Sequence, residues 1–126
     1  MDQDILFFFR NHTDALPLYL SLEEKIISEI PDVKTKVSKS QIGFQNKRGF
    51  AFVSFLPVRK AKDRPNRYIT VSFGLGYQKA SVRIDASVEP YPNRWTHHVM
   101  VTRMEEIDEE LLSWIREAAA FSAAKK

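Results

Sequence analysis

Two adjacent histidines near the C-terminal end of the chain are the side chains whose chemistry is easiest to name. The segment YPNRWTHHVMV, residues 91–101, places them beside a tryptophan and an arginine. Imidazole carries protons near neutral pH and is a common metal ligand. Successive residues of a β-strand point to opposite faces, so an extended segment directs His97 and His98 apart and prevents them from binding one metal ion. The sequence therefore predicts no metal site.

The alternation over residues 95–103 indicates where each ring points. His97 shares a face with Val99 and Val101, so we expect it to look toward the helices as a hydrogen-bonded residue of the core or its rim. His98 lies on the opposite face. Because histidine titrates near neutral pH, His98 is a weak candidate for an acid/base group.

Other catalytic patterns are missing from the sequence. Residues 74–79 read GLGYQK, which lacks the third glycine and the following helix of a dinucleotide-binding loop, so they predict a hairpin turn. No serine lies in a Gly-x-Ser-x-Gly elbow. The chain has no cysteine, which excludes disulfides and thiolate catalysis. The sequence predicts no cofactor and no confident catalytic residue.

Charge is distributed unevenly along the chain. Residues 1–32 carry a net charge of −5, residues 33–83 carry +11, and residues 84–126 carry −3. Basic groups interleaved with aromatic residues are typical of surfaces that bind anions or nucleic acids. The alternative is that the basic groups solvate one sheet face and protect edge strands from aggregation. The sequence leaves both interpretations open.

The acidic ends of the chain have helical periodicity. Thr13 or Asp14 can cap a helix that Pro31 ends, and residues 4–11 predict a short preceding helix or turn. A second long helix is predicted near the C-terminus by an apolar stripe that comprises Ile107, Leu111, Trp114, Ile115, Ala118 and Phe121.

Between the helices the apolar pattern changes to a period of two. Strands are predicted at 33–37, 42–44, 50–55, 67–73, 82–84 and 95–103. Gly49, which can adopt a positive φ, closes a predicted hairpin turn, and residues 87–94 are predicted to be a loop. We therefore expect one domain over residues 1–126 of the α+β class. Its five- or six-stranded, mainly antiparallel meander sheet has the N-terminal and C-terminal helices packed on one face.

The apolar run at the N-terminus is short. Residues 5–9 read ILFFF, far fewer than the roughly 20 residues of a membrane-spanning helix, and Asp2 and Asp4 precede them. We expect a soluble, cytoplasmic protein with no membrane partner.

Three segments of the chain resemble a bacterial family called domain of unknown function 5655. They are VSKSQIGFQNKRGFAFVSF, VEPYPNRWTHHVMV and EEIDEELLSWIREAAAF, and the resemblance covers roughly residues 14–121. More distantly, the order of elements is similar to that of YdhG-like and YjbR-like small α+β domains. The resemblance implies a compact bacterial cytoplasmic domain without an established activity. It points to Lys39, Arg94, Trp95, His97 and His98 as residues to test.

Three functions stay open from the sequence. The first is a non-enzymatic module that binds an anionic partner, nucleic acid or nucleotide, on a basic sheet surface. The second is an enzyme for a small anionic ligand, with His98 as the acid/base. The third is a protein-interaction domain that forms a homodimer through Phe7, Phe8 and Phe9. The candidate ligand-binding residues are Lys39, Arg83, Arg94, Trp95, His97 and His98.

Overall fold

The computed structural model describes residues 2–124 and has the α+β fold that the sequence predicts. The helices are α1 (Gln3–Phe8), α2 (Leu16–Glu29) and α3 (Glu109–Ala124). The strands are β1 (Lys34–Val37), β2 (Ile42–Gln45), β3 (Gly49–Ser54), β4 (Ile69–Leu75), β5 (Ala86–Tyr91) and β6 (Arg94–Val101). Short 3₁₀ turns lie at Thr13–Ala15, Ala61–Asp63 and Met104–Glu106.

The six strands form one antiparallel sheet in the order β1-β2-β3-β4-β6-β5. The first four strands follow one another as a meander. The last two do not, because β6 pairs with both β4 and β5 and leaves β5 at the edge. This order places β6 inside the sheet, where its two faces meet different surroundings.

The chain before β5 departs from the sequence prediction. A turn replaces the strand predicted at 82–84, Val82 is fully exposed, and β5 occupies most of the predicted 87–94 loop. Two polar contacts fix this path. Arg83 Nη1 donates to Asp108 before α3 at 2.9 Å, and the Met100 amide donates to Asp85 at 2.8 Å. These contacts outweigh the weak alternation of Val82 and Ile84.

The long helices cover one face of the sheet. Helix α2 buries Leu18, Tyr19, Leu22 and Ile26, which recur at helical spacing. Helix α3 packs against β3 and β4. None of the helices within residues 2–124 is long and apolar enough to cross a membrane. The face opposite α2 and α3 is called the open face below.

Candidate ligand-binding cleft on the open face

One row of residues crosses the open face from strand to strand. The register pairs Lys36 with Gly43, Gly43 with Phe52, Phe52 with Ser72, and Ser72 with His98. Directly opposed residues in antiparallel strands point to the same side of the sheet. The pairing of β4 with β6 therefore places His98 beside Ser72, although 26 positions separate them in the chain.

Ser72 and His98 are joined by a hydrogen bond. Ser72 Oγ lies 2.7 Å from His98 Nδ1, and the serine side chain is buried. Burial lowers the pKa of His98 below its ordinary value, so the imidazole is neutral at neutral pH. Because Nδ1 is engaged by the serine, Nε2 is the nitrogen left for a ligand.

A cleft of about 600 Å³ opens above this pair. Its floor is the open face, and its walls are the segment that follows α1 and the turn between β1 and β2. The residues that line it are Phe8, Arg10, Asn11, His12, Lys39, Ser40, Gln41, Phe52, Ser54, Phe55, Leu56, Ser72, Thr96 and His98. The volume lies in the range of sites for small ligands.

The charged side chains of this lining are both cationic. Lys39 is exposed and makes no ion pair within residues 2–124. The Arg10 guanidinium lies 3.9 Å from the centroid of the Phe7 ring and donates to the Phe7 carbonyl at 2.8 Å. No carboxylate belongs to the described lining of the cleft. The cleft therefore favours an anionic ligand electrostatically.

Phe52 lies at the centre of the open face because two glycines make room for its ring. A Cβ on Gly43 would lie 3.2 Å from the ring, and one on Gly49 would lie 2.7 Å from it. Gly49 does not have the positive φ that the predicted turn allowed, so it is needed here for the space it leaves. The Phe52 ring rests on these glycines, is half-buried, and lines the cleft.

His97 lies on the other side of the same strand, as the alternation predicts. It is fully buried, and its ring stacks on Phe73 with the centroids 4.9 Å apart. The Lys79 amide donates to Nε2 at 2.9 Å, so Nδ1 carries the hydrogen and faces the Phe73 carbonyl at 3.4 Å. Burial lowers the pKa of His97, which keeps the ring neutral. His97 is outside the cleft, and both of its nitrogens are bonded.

The remaining three predicted ligand residues also lie outside the cleft. Arg83 is held by Asp108 and Glu110, each at 2.9 Å, at the start of α3. The Arg94 guanidinium fills the space above Gly74, 6.0 Å from the Phe121 ring centroid. Trp95 is half-buried and pairs with Leu75 on the helix-covered side. The cleft thus brings together two of the six predicted residues, Lys39 and His98.

The three phenylalanines predicted to form a homodimer surface have different environments. Phe7 is 64% exposed, Phe8 is half-buried against Phe55, and Phe9 belongs to the core. Only Phe7 of the three offers a large exposed ring. Dimerisation through this segment stays a prediction.

A comparison with family models matches residues 7–122, which include every residue that lines the cleft. The chain belongs to the family described as Domain of unknown function (DUF5655). The resemblance of the sequence to this family is thereby confirmed. No curated protein and no solved structure gives a significant match. The more distant likeness to YdhG-like and YjbR-like domains stays a prediction.

Several polar and aromatic residues of this DUF5655 cleft were not predicted as site residues from the sequence, among them Ser72, Phe52, Arg10 and His12. The sequence places Ser72 and Phe52 in strands and Arg10 in a short helix or turn, but it links none of the three to a site. The register could have indicated Ser72 once β4 was known to pair with β6. No local signal indicates His12, whose ring stacks on Phe55 with the centroids 3.9 Å apart.

The described part of the DUF5655 chain holds no cluster of metal-ligating side chains. Residues 2–124 contain no group of three histidine, cysteine, aspartate or glutamate side chains that could hold an ion. In the cleft, the possible ligands of this kind are the two imidazoles of His12 and His98.

Proposed function

We propose that this protein binds single-stranded nucleic acid on the open face of its sheet, with a nucleotide seated in the cleft. The observation that supports this most is one cleft that combines a Phe52 ring, the Ser72–His98 pair and the cations of Arg10 and Lys39. Antiparallel sheets with helices on one face use this combination on the free face, where aromatic rings stack on bases and cations contact phosphates.

The Phe52 ring supplies the surface for a base. Because the ring lies on Gly43 and Gly49, those glycines limit its movement toward the sheet. A base that stacks on such a ring gains about 1–3 kcal/mol, with little dependence on base identity. Single-stranded ligands expose their bases for this contact, whereas duplexes do not.

The cationic side chains indicate the path that the phosphate backbone of a bound strand would follow. A neighbouring groove shares Phe8, Arg10 and Lys39 with the cleft, and a second depression beside Lys36 shares Gln41 and Phe52 with it. The three hollows adjoin one another through these shared lining residues. An extended backbone can therefore follow them, with its phosphates near Lys36, Lys39 and Arg10.

Fluorescence anisotropy with labelled oligouridylate and oligothymidylate of about eight nucleotides tests this proposal, at several salt concentrations between about 50 and 200 mM. The wild-type chain should bind both, and its affinity should fall steeply with salt. Lys39→Gln should weaken binding and reduce the slope of log affinity against log salt by about 0.7, the value for one phosphate contact on a single strand. Phe52→Leu should weaken binding by about five- to 150-fold at every salt concentration.

Lys62→Gln is the matched control, because Lys62 is exposed in the Ala61–Asp63 turn and does not line the cleft. It removes the same charge as Lys39→Gln, but the slope of log affinity against log salt should stay at the wild-type value. No binding by the wild type at low salt would refute the proposal. Equal weakening by both lysine variants would indicate unspecific attraction and would refute it as well. Competition with adenosine monophosphate and inorganic phosphate distinguishes a nucleotide site from a plain phosphate site.

A further inference from the structure

Two imidazoles, those of His12 and His98, line the same cleft. His12 reaches the cleft from the segment after α1, and His98 reaches it from β6 on the floor. Both rings are held in place, His12 by stacking on Phe55 and His98 by the hydrogen bond to Ser72. Within residues 2–124 neither ring is paired with a carboxylate. Both can therefore exchange protons with a ligand.

We infer that the cleft cleaves single-stranded RNA by internal transphosphorylation, with His98 as the general base and His12 as the general acid. This inference rests on the proposed function, since the strand must first bind. The substrate class is RNA rather than DNA. Only RNA carries a 2′-hydroxyl next to each phosphate, and this hydroxyl can act as the nucleophile.

The reaction needs no reactant other than the RNA strand. The 2′-oxygen forms a bond to the adjacent phosphorus, and the bond from phosphorus to the 5′-oxygen of the next nucleotide breaks. His98 takes the proton from the 2′-hydroxyl, and a protonated His12 gives its proton to the departing 5′-oxygen. The products are a 2′,3′-cyclic phosphate and a free 5′-hydroxyl, and both imidazoles return to their starting states by exchanging protons with water.

The placement of the two rings agrees with these roles. His98 is partly buried and neutral, and in the tautomer whose Nδ1–H donates to Ser72 Oγ its Nε2 can accept a proton. His12 is exposed, so water can protonate it again after each turnover. Lys39 and Arg10 line the same cleft and can stabilise the charge that develops on the non-bridging phosphate oxygens.

A DNA oligomer with a single ribonucleotide tests the inference, because it offers one cleavable bond. The wild-type chain should cut it at that position and leave a 2′,3′-cyclic phosphate, which mass spectrometry identifies. The same oligomer with a 2′-O-methyl group at that position should bind equally well and stay intact. His12→Gln and His98→Gln should each slow cleavage by about 10²-fold or more, with binding nearly unchanged.

The outcomes separate the inference from the proposed function. Binding without cleavage by the wild type overturns the inference and leaves the proposed function standing, whereas no binding overturns both. Cleavage that is equal in the wild type and in both histidine variants, all purified in parallel, reveals a contaminating nuclease and overturns the inference. If the His98 variant does not fold, His12→Gln decides alone, because His12 is exposed and outside the core. Lys62→Gln should cleave at the wild-type rate.

Discussion

The helix-covered face of the sheet and the open face differ most clearly at their centres, where the same strands contribute to both. On the covered face, Phe73 stacks on His97, and both side chains are fully buried. On the open face, Ser72 bonds to His98 beneath a cleft. Neighbouring residues of β4 and β6 thus belong to a closed apolar interior and to a polar surface. Position in the strand, rather than residue type, therefore decides whether a histidine here is buried in the core or lines the cleft.

The largest effect on stability should come from the covered face. Phe73→Ala removes a fully buried ring, and we expect the free energy of unfolding to fall by about 3–5 kcal/mol. The matched change on the open face, Phe52→Ala, should lower it by about 1 kcal/mol, because that ring is half-buried. Urea unfolding of the two variants measures both values. Similar losses for both would break the distinction between the faces.

Replacing His97 should lower the free energy of unfolding more than replacing His98 does. His97→Leu leaves the Lys79 amide and the Phe73 carbonyl without their partner, so the free energy of unfolding should fall by about 1–3 kcal/mol. His98→Leu leaves only the Ser72 hydroxyl, which lies at the floor of an open cleft where water can replace the imidazole. Thermal unfolding should therefore show the larger shift for His97. A reversed order would show that the open face supports the fold more than the covered one.

Acid should weaken the fold through both rings. The pKa values of His97 and His98 are lowered by burial, so each ring binds fewer protons in the folded chain than in the unfolded chain. The free energy of unfolding should therefore fall as the pH drops below about 6.5. Urea unfolding between about pH 7 and pH 5 should show a shallower pH dependence in His97→Gln and in His98→Gln, by at most about 1.4 kcal/mol per pH unit. An unchanged slope in either variant would contradict the neutral state assigned to that ring.

The smallest effect on stability should come from Gly49. In Gly49→Ala the new methyl group would lie 2.7 Å from the end of the Phe52 ring, so the ring must move, whereas the backbone at Gly49 has no positive φ and accepts alanine. We expect the free energy of unfolding to change by less than about 1 kcal/mol. Oligonucleotide affinity should fall several-fold, because the ring is displaced from its position in the cleft. Unchanged affinity would mean that Phe52 does not carry the base.

The sequence predicted which face of the sheet each residue points to better than it predicted which strands are neighbours. A period of two assigns His97 and His98 to opposite faces regardless of which strands are neighbours. The cleft depends on more than that period, because Ser72 meets His98 only when β6 lies next to β4. Lys39 was singled out by its resemblance to a family motif. The sequence could not indicate that His12 lines the cleft, because the loop that carries His12 has no periodicity from which the direction of its side chain could be inferred.

The segment before β5 shows why a local sequence pattern can predict the wrong secondary structure. Val82 and Ile84 alternate weakly, but the acidic start of α3 holds Arg83 in a turn instead. Asp85 adds a second long-range contact, through Arg59 at 2.8 Å. Charge pairs between distant parts of the chain cannot be read from the residues of either part alone.

The position of β4 in the sheet has a consequence for the chain while it is being made. All seven residues of β4 are buried, because β3 and β6 cover its two edges and α3 packs against it. A nascent or truncated chain that stops before Arg94 lacks β6, and its β4 would present an unprotected apolar edge to other molecules. Such fragments should form insoluble aggregates.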